Sequence, residues 1–417
     1  MGKRLRTVNG SYMRVVFLAP TFPPEMIQYT RGLAEVGAEV FGVADTPKEA
    51  LSPELKSYLT AYLQVPRIMD EDDVIARVTQ WLKGRTVDRV LANWEPLTLL
   101  AARLREKFGM PGMSHSDVLG FRDKQIMKER VKAAGLRVPR SHRVSSEREI
   151  RAAVEEIGYP LILKPIAGAG SADTYRVGDK TELETVMKAM RHVKEASCEE
   201  FIEGEEFTFD TVCIGGKPAY ENIAQYLPKP IEARSVEWIS PVIITVRDMQ
   251  QKPLQKGIEL GRNVLKALRM GDGFTHMEWF LTPKGEAVFG EIGCRPPGAH
   301  LVDQMNYTGD IDLFREWARV AVHGKFAAPT HRKYNVGIVF KRAVGEGRVT
   351  RIEGLGDWKR AAGHWLVQDA LFRPGTMRRN WKNTLLSDGH VIVRHPDWAE
   401  AHRLSFAAAT GIKMYAE

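Results

Sequence analysis

The sequence predicts an α/β protein: an N-terminal parallel-sheet α/β domain, then a unit of two α+β lobes, then a C-terminal extension. Three observations predict it. Continuous apolar strands alternate with amphipathic helices from residue 13 to about 120, which is the pattern of a parallel sheet. A lobe of two capped helices and a few strands follows, about 75 residues long. Beyond it an acidic hairpin spans His276 to Gly298. At 417 residues the chain has room for two or three domains.

The first strand is Val15-Val-Phe-Leu-Ala19, the second Glu39-Val-Phe-Gly-Val43 and the third Asp88-Arg-Val-Leu-Ala92. Val74, Ile75, Val78, Trp81 and Leu82 recur at helical spacing between the last two. The turn after the first strand, Ala19-Pro-Thr-Phe-Pro-Pro-Glu25, contains no glycine. A dinucleotide fingerprint is therefore absent, because a pyrophosphate needs close backbone approach there. In the next unit, Asp123 to Gly135 is a helix closed by its glycine. Ser146 with Glu149 forms a capping box opening a helix through Ile157. Pro160-Leu-Ile-Leu-Lys164 is a buried strand, Asp173 to Val177 another, and Thr181 with Glu184 caps a further helix. A Gly215-Gly216 hairpin and a helix from about 253 to 269 precede the acidic hairpin. From about 330 the chain shows short strands (Gly337 to Phe340, Gly389 to Val393) and a terminal helix, without a recognisable motif.

Composition narrows the function. Hydrophobic residues make up 44% and charged residues 27%, which excludes a disordered chain. The net charge of +8 comes from 60 basic and 52 acidic residues without long basic runs, which argues against a nucleic-acid surface. Cys198, Cys213 and Cys294 form neither a CxxC pattern nor a disulfide framework, so a reducing cytoplasm is expected. No apolar run is long enough to span a membrane. Residues 1–12 read as a loose extension that lacks the apolar region of a signal peptide.

The acidic hairpin carries the most chemistry. With Thr282-Pro-Lys-Gly285 as its turn, Leu281 faces Glu286, Glu278 faces Phe289 and His276 faces Glu291. His276, Glu278, Phe289 and Glu291 then share one face. Glu278 and Glu291 are diagonal neighbours about 7–8 Å apart. Two carboxylates with Arg295 just beyond suit Mg²⁺ holding a polyphosphate, since hard oxygens bind the metal and a guanidinium forks onto phosphate or carboxylate. An exposed hairpin with two solvated glutamates satisfies the same pattern. Lys164 ends a buried strand, where a charge is costly unless paired. It is followed by Pro165-Ile-Ala-Gly168-Ala-Gly170-Ser171, small residues whose amides can approach phosphate. Lys124 lies in the first turn of a helix, where the dipole disfavours a cation unless an anion is nearby. Glu199 to Ile202 reads as a hinge whose apolar side chains and free backbone groups could hold adenine, with Glu206 placed to bridge ribose hydroxyls.

In this order, Asp123-Lys124, strand-Lys164-Pro165 with its small-residue loop, Glu199-Glu-Phe-Ile-Glu-Gly-Glu-Glu206 and Glu278…Glu291-Ile-Gly-Cys-Arg295-Pro296, the motifs resemble the ATP-grasp superfamily. The match covers about 121–325, and the preceding domain is similar to the one before the grasp in biotin carboxylase and D-alanine–D-alanine ligase. The resemblance implies an ATP-grasp domain over 121–328 with a mobile lid lobe at about 134–198, after a pre-grasp domain at 13–120 and before an α+β region at 329–417. It implies ATP with Mg²⁺ (Mn²⁺ can substitute), Lys124 and Lys164 on phosphates, and Gly168, Gly170 and Ser171 closing over them. Glu199, Phe201 and Ile202 would hold adenine, Glu206 ribose, and Glu278 with Glu291 the metal. Arg295 would bind the acyl phosphate or its carboxylate precursor. Family members often carry Asn where this chain has Gly293, so one metal ligand is missing.

The family reaction activates a carboxylate as an acyl phosphate that an amine then captures. Lys164, Arg295 and His276 are the expected catalytic residues. His276 or His300 could act as base towards the amine, and Tyr226 to Glu237, with Lys229, Arg234 and Glu237, forms a substrate-facing loop. The partners expected are a small carboxylate and a small amine, with a homodimer left open and neither nucleic acid nor membrane involved. Two alternatives stand beside this: a bicarbonate-using carboxylase of the same fold, and a nucleotide-binding regulator that has lost catalysis.

Overall fold

The computed structural model describes residues 12–166, 173–381, 384 and 386–417. The predicted parallel sheet is present, with strands in the order Ala61–Gln64, Glu39–Ala44, Arg14–Leu18, Arg89–Leu91. The strand Ala61–Gln64 was not foreseen, because four residues ending in an exposed glutamine carry no apolar run. One face of the sheet packs Val16, Leu18, Val43 and Val90 against Val74, Val78, Leu100 and Leu104. The other packs Val15, Phe17 and Val40 against Tyr29 and Leu33 of the helix Met26–Glu35, and against Phe314 and Trp317 of the helix Leu313–His323. These two helices touch closely: a Cβ on Gly32 would lie 2.6 Å from the Phe314 carbonyl oxygen. Only glycine permits that approach, and Arg31 clamps it with a 3.0 Å pair to Asp312. The N-terminal domain is thus packed firmly on the rest of the chain.

The lobe of two helices and few strands is also present. Ser141–Val144, Ala196–Glu200, Leu161–Pro165 and Tyr175–Val177 form an antiparallel sheet in that order. Its core joins Leu161, Leu163 and Cys198 to Val154, Ile157, Leu183 and Val186 of the helices Glu147–Ile157 and Lys180–Ala189. Ser146 accepts from the Glu149 amide as the capping box requires, while the Glu149 carboxylate reaches back to the Ser145 amide at 2.7 Å. The second cap differs from expectation. Asp179, not Thr181, accepts from the Thr181 and Glu182 amides, because a carboxylate two residues earlier, at the N-cap, reaches both orphan donors.

The largest sheet has eight antiparallel strands in the order Ala287–Gly293, Gly273–Leu281, Glu205–Ile214, Lys217–Leu227, Val242–Thr245, Asn335–Phe340, His390–His395, Leu366–Asp369. Residues beyond 330 therefore extend the same sheet that carries the acidic hairpin. The helix Lys252–Ala267 covers that sheet with Leu254, Ile258 and Val264 against Phe209, Trp279 and Phe289. A three-stranded sheet (Val344–Gly345, Lys413–Ala416, Val349–Glu353) and the helix Trp398–Gly411 complete the C-terminal part. Among the described residues no helix is long and apolar enough to cross a membrane.

Candidate active site

The acidic hairpin forms with a register that differs from the expected one. Its turn is longer, closed by Thr282 donating to the Glu286 carbonyl at 2.9 Å, so Leu281 pairs with Ala287 and Trp279 with Phe289. A bulge at Gly290 then inserts one residue and sets Glu278 directly opposite Glu291 and His276 opposite Gly293. Gly290 can take this position because a Cβ there would meet the Glu278 carbonyl oxygen at 2.8 Å. Phe289 accordingly leaves the acidic face and is fully buried in the core beside Trp279. The two carboxylates are direct rather than diagonal neighbours.

Around them lies a cleft between the small lobe and the large sheet, about 860 Å³ counted out into its solvent-open mouth. Lys124, Lys164, Glu199, Phe201, Ile202, Glu206, Lys229, Glu278 and Glu291 all line it. Segments scattered through some 170 residues are thereby brought together. Lys124 Nζ lies 3.3 Å from Glu291 Oε2, and Lys164 Nζ lies 3.7 Å from the same oxygen. Lys164 also sits 3.1 Å from Glu199 Oε2, whose other oxygen pairs with Lys128 and accepts from Ser197 Oγ at 2.7 Å. The Glu199 side chain is thus held by lysines within the cleft wall. Nor is the hinge backbone wholly free, since the Phe201 amide already donates to the Pro160 carbonyl at 3.4 Å. Arg176 and Lys229 stand over the Phe201 ring at 5.0 and 5.5 Å. Gly168, Gly170 and Ser171 lie outside the described residues.

The electrostatics follow from burial and these pairings. Burial alone would raise the Glu291 carboxyl, but Lys124 and Lys164 outweigh it and hold the group below the ordinary carboxylate range. Glu278 moves the other way, raised by burial and then by the negative charge of Glu291. Glu206 is raised well above its usual value, again by burial first and by Glu278 second. Lys164 is pushed up, because Glu199 and Glu291 outweigh the opposing effect of burial. A buried carboxylate raised by the negative charge of the one facing it invites a cation between them. No group of three or more His, Cys, Asp or Glu side chains suited to a metal occurs among the described residues. Two carboxylates with Gly293 in place of a third ligand fit Mg²⁺, which keeps waters and phosphate oxygens in its shell.

Glu278 accepts from Tyr226 Oη at 3.1 Å, and His276 Nε2 lies 3.9 Å from it. His276 Nδ1 is bonded to Asp210 at 2.6 Å, and Asp210 in turn accepts from Thr208 and Asn222. His276 is therefore a buried residue of the strand that carries Glu278, tied to Asp210. Arg295 is oriented by Glu95, at 2.9 Å from Nε and 2.8 Å from Nη2, while Nη1 donates to the Pro296 carbonyl at 3.1 Å. Arg122 pairs with the other oxygen of Glu95. Burial would raise the Glu95 carboxyl, but Arg295 and Arg122 together lower it. Tyr226 to Glu237 is a strand end followed by the short helix Pro230–Ser235 rather than a loop. Lys229 lines the cleft, Glu237 pairs with Arg378, and the Arg234 side chain lies outside what is described.

Sequence reasoning missed Lys128, Asp210, Glu95 and Arg122. Lys128 had a signal, being one helical turn from Lys124 on the same face. Glu95 had another, since it follows the carboxyl end of a parallel strand, where α/β sheets place their ligands. Asp210 and Arg122 had none.

His300 caps the helix Leu301–Gly309 in a left-handed conformation with φ 60°, bonds Asp303 at 3.0 Å and packs on His390 with ring centroids 4.7 Å apart. Burial, then the charge of His300, pushes His390 down to about 4, while Asp303 and Asp369 oppose this and Arg379 adds to it. A base whose folded pKa lies below its unfolded value of about 6.5 leaves stability intact above that pH. Stability should then fall as pH drops from about 6.5 towards 4, by about 2 kcal/mol at pH 5. Urea midpoints for the wild type and His390→Phe at pH 7.5 and 5.0 check this. The variant should lose less on acidification, and equal losses would remove the assignment.

Two lobes meet at a cleft lined by lysines and paired carboxylates, and comparison with known proteins says which fold this is. Residues 129–302 match the ATP-grasp domain. The L-arginine-specific L-amino acid ligase of Bacillus subtilis is 23% identical over 355 residues, covering 84% of this chain and 85% of that protein. An L-amino acid ligase from Bacillus licheniformis shares the fold with a TM-score of 0.78 at 19% identity, over 97% of this chain and 99% of that one. The N5-carboxyaminoimidazole ribonucleotide synthetase of Thermotoga maritima does so at 0.70 and 20%, over 97% and 100%. Residues 129–302 thus form an ATP-grasp domain, and the proteins this chain is similar to include L-amino acid ligases.

Proposed function

We propose that this protein activates a carboxylate as an acyl phosphate, at the expense of ATP and with Mg²⁺, and joins it to an amine as an amide of peptide type. The observation that carries the reading is the convergence of Lys124, Lys164, Glu278 and Glu291 on one cleft. In the first step a carboxylate oxygen attacks the γ-phosphorus, the bond to the β–γ bridging oxygen breaks, and ADP leaves. In the second an amine attacks the acyl carbon, phosphate departs, and the amine nitrogen gives up a proton. Lys124 and Lys164 offset the repulsion between the anionic nucleophile and the anionic phosphate. Arg295, held in orientation by Glu95, grips the carboxylate or the acyl phosphate. Mg²⁺ held by Glu278 and Glu291 would supply charge neutralisation at the transferred phosphoryl group. Closure of the lobe around Lys164 over the cleft keeps water from the intermediate.

The named activities of the B. subtilis and B. licheniformis relatives make amino acids the first substrates to test. ADP release from Mg²⁺-ATP should appear with particular L-amino acids, alone or in pairs, and not with ATP alone. Release driven by bicarbonate and indifferent to every amino acid would replace this reading with a carboxylase. Absence of release with both would leave a nucleotide-binding regulator.

A further inference from the structure

We propose that Lys128 is a positioning residue for ATP: by holding one oxygen of Glu199, it keeps Lys164 available to phosphate. The inference rests on the ATP reading of the cleft. Lys128 and Glu199 are 3% and 4% exposed, and their pair adjoins Lys164 through the second Glu199 oxygen. Five side chains form an unbroken line of alternating charge: Lys128, Glu199, Lys164, Glu291, Lys124. The line crosses three elements, the helix Lys124–Ala133, the small lobe and the acidic hairpin.

The charge count explains the need for Lys128. With it, Glu199 is already balanced by a lysine and hydrogen-bonded by the Ser197 hydroxyl, and Lys164 can divide itself between Glu199 and the cleft. Without it, Glu199 would be a buried carboxylate with Lys164 as its one ion-pair partner among the described residues, at 3.1 Å against 3.7 Å to Glu291. An uncompensated buried charge is costly, so Lys164 would be drawn back towards Glu199. Burial already lowers the Lys128 ammonium to about 8, against the pull of Glu199, and an ammonium kept in so dry a place argues for a specific task.

Isothermal titration of the full chain with Mg²⁺-ATP tests the proposal. Lys128→Met, close in shape and lacking the charge, should weaken ATP at least about tenfold. The double variant Lys128→Met/Glu199→Gln removes the pull on Lys164 and should regain most of the lost affinity. A merely structural Lys128 would make the double variant no better than the single one, and that result would overturn the proposal. So would unchanged affinity in Lys128→Met. An even weaker double variant would mean that the Glu199 carboxylate itself holds the nucleotide, which also overturns it. Thermal melting screens each variant for folding, and Lys128→Gln replaces Lys128→Met if the latter does not fold. Failure of the wild type to bind ATP would instead strike the ATP reading.

Discussion

Glu291→Ala is expected to keep the fold, keep or tighten ATP binding, and lose turnover by at least about a hundredfold, the scale of one removed electrostatic stabiliser. The side chain is near a strand end on the cleft rather than in the core, and about a third of it is exposed. Removing it frees Lys124 and Lys164 from their nearest common anion, at 3.3 and 3.7 Å, which favours the phosphates of the ground state. The same removal deletes one of the two carboxylates expected to hold the metal at the transferred phosphoryl group. Tight binding with slow chemistry is therefore the signature, and titration combined with single-turnover ADP formation reads both. Glu278→Ala should cost less, because Glu278 has Tyr226 and His276 beside it and no lysine within ion-pair distance among the described residues. Near-normal turnover in Glu291→Ala would remove the metal assignment.

How much of this was legible in the sequence depended on the range of the interaction that fixes each feature. The strands at Val15, Glu39 and Asp88, the helix ending at Gly135 and the lobe around Leu161 are set by local apolar pattern and capping, and they were readable. The hairpin register was not, because a bulge at Gly290 depends on a close approach to the Glu278 carbonyl that no periodicity reports. The partner of Arg295 was equally hidden, since Glu95 lies 200 residues away in another domain. Glu199 shows a third kind of difficulty. Its place in the hinge motif speaks for adenine along the hinge and says nothing of its carboxylate, which faces two lysines, one of them a helical turn from Lys124. Motif order locates a residue on the chain and leaves the direction of its side chain to the packing.

The acyl phosphate is open to direct interception, and Arg295 is the residue on which that should depend most. Its guanidinium has five donors. Glu95 engages Nε and Nη2 and the Pro296 carbonyl engages Nη1, which fixes the plane of the group and leaves one further N–H on each terminal nitrogen for a two-pronged grip on a carboxylate. Glu95, drawn below its ordinary pKa by Arg295 and Arg122, stays ionised and keeps that orientation throughout the neutral range. With Mg²⁺-ATP, an accepted acid and hydroxylamine in place of the amine, a hydroxamate of that acid should form. Arg295→Lys should reduce its yield at least about tenfold, because a single ammonium can satisfy Glu95 or the substrate but cannot present a fork to both. ATP affinity should change little in the same variant, which separates loss of the acid's grip from loss of the nucleotide. A hydroxamate yield equal to that of the wild type would remove Arg295 from the substrate. If a broad panel of acids gives no hydroxamate even with the wild type while bicarbonate alone drives ADP release, the ligase assignment itself is falsified.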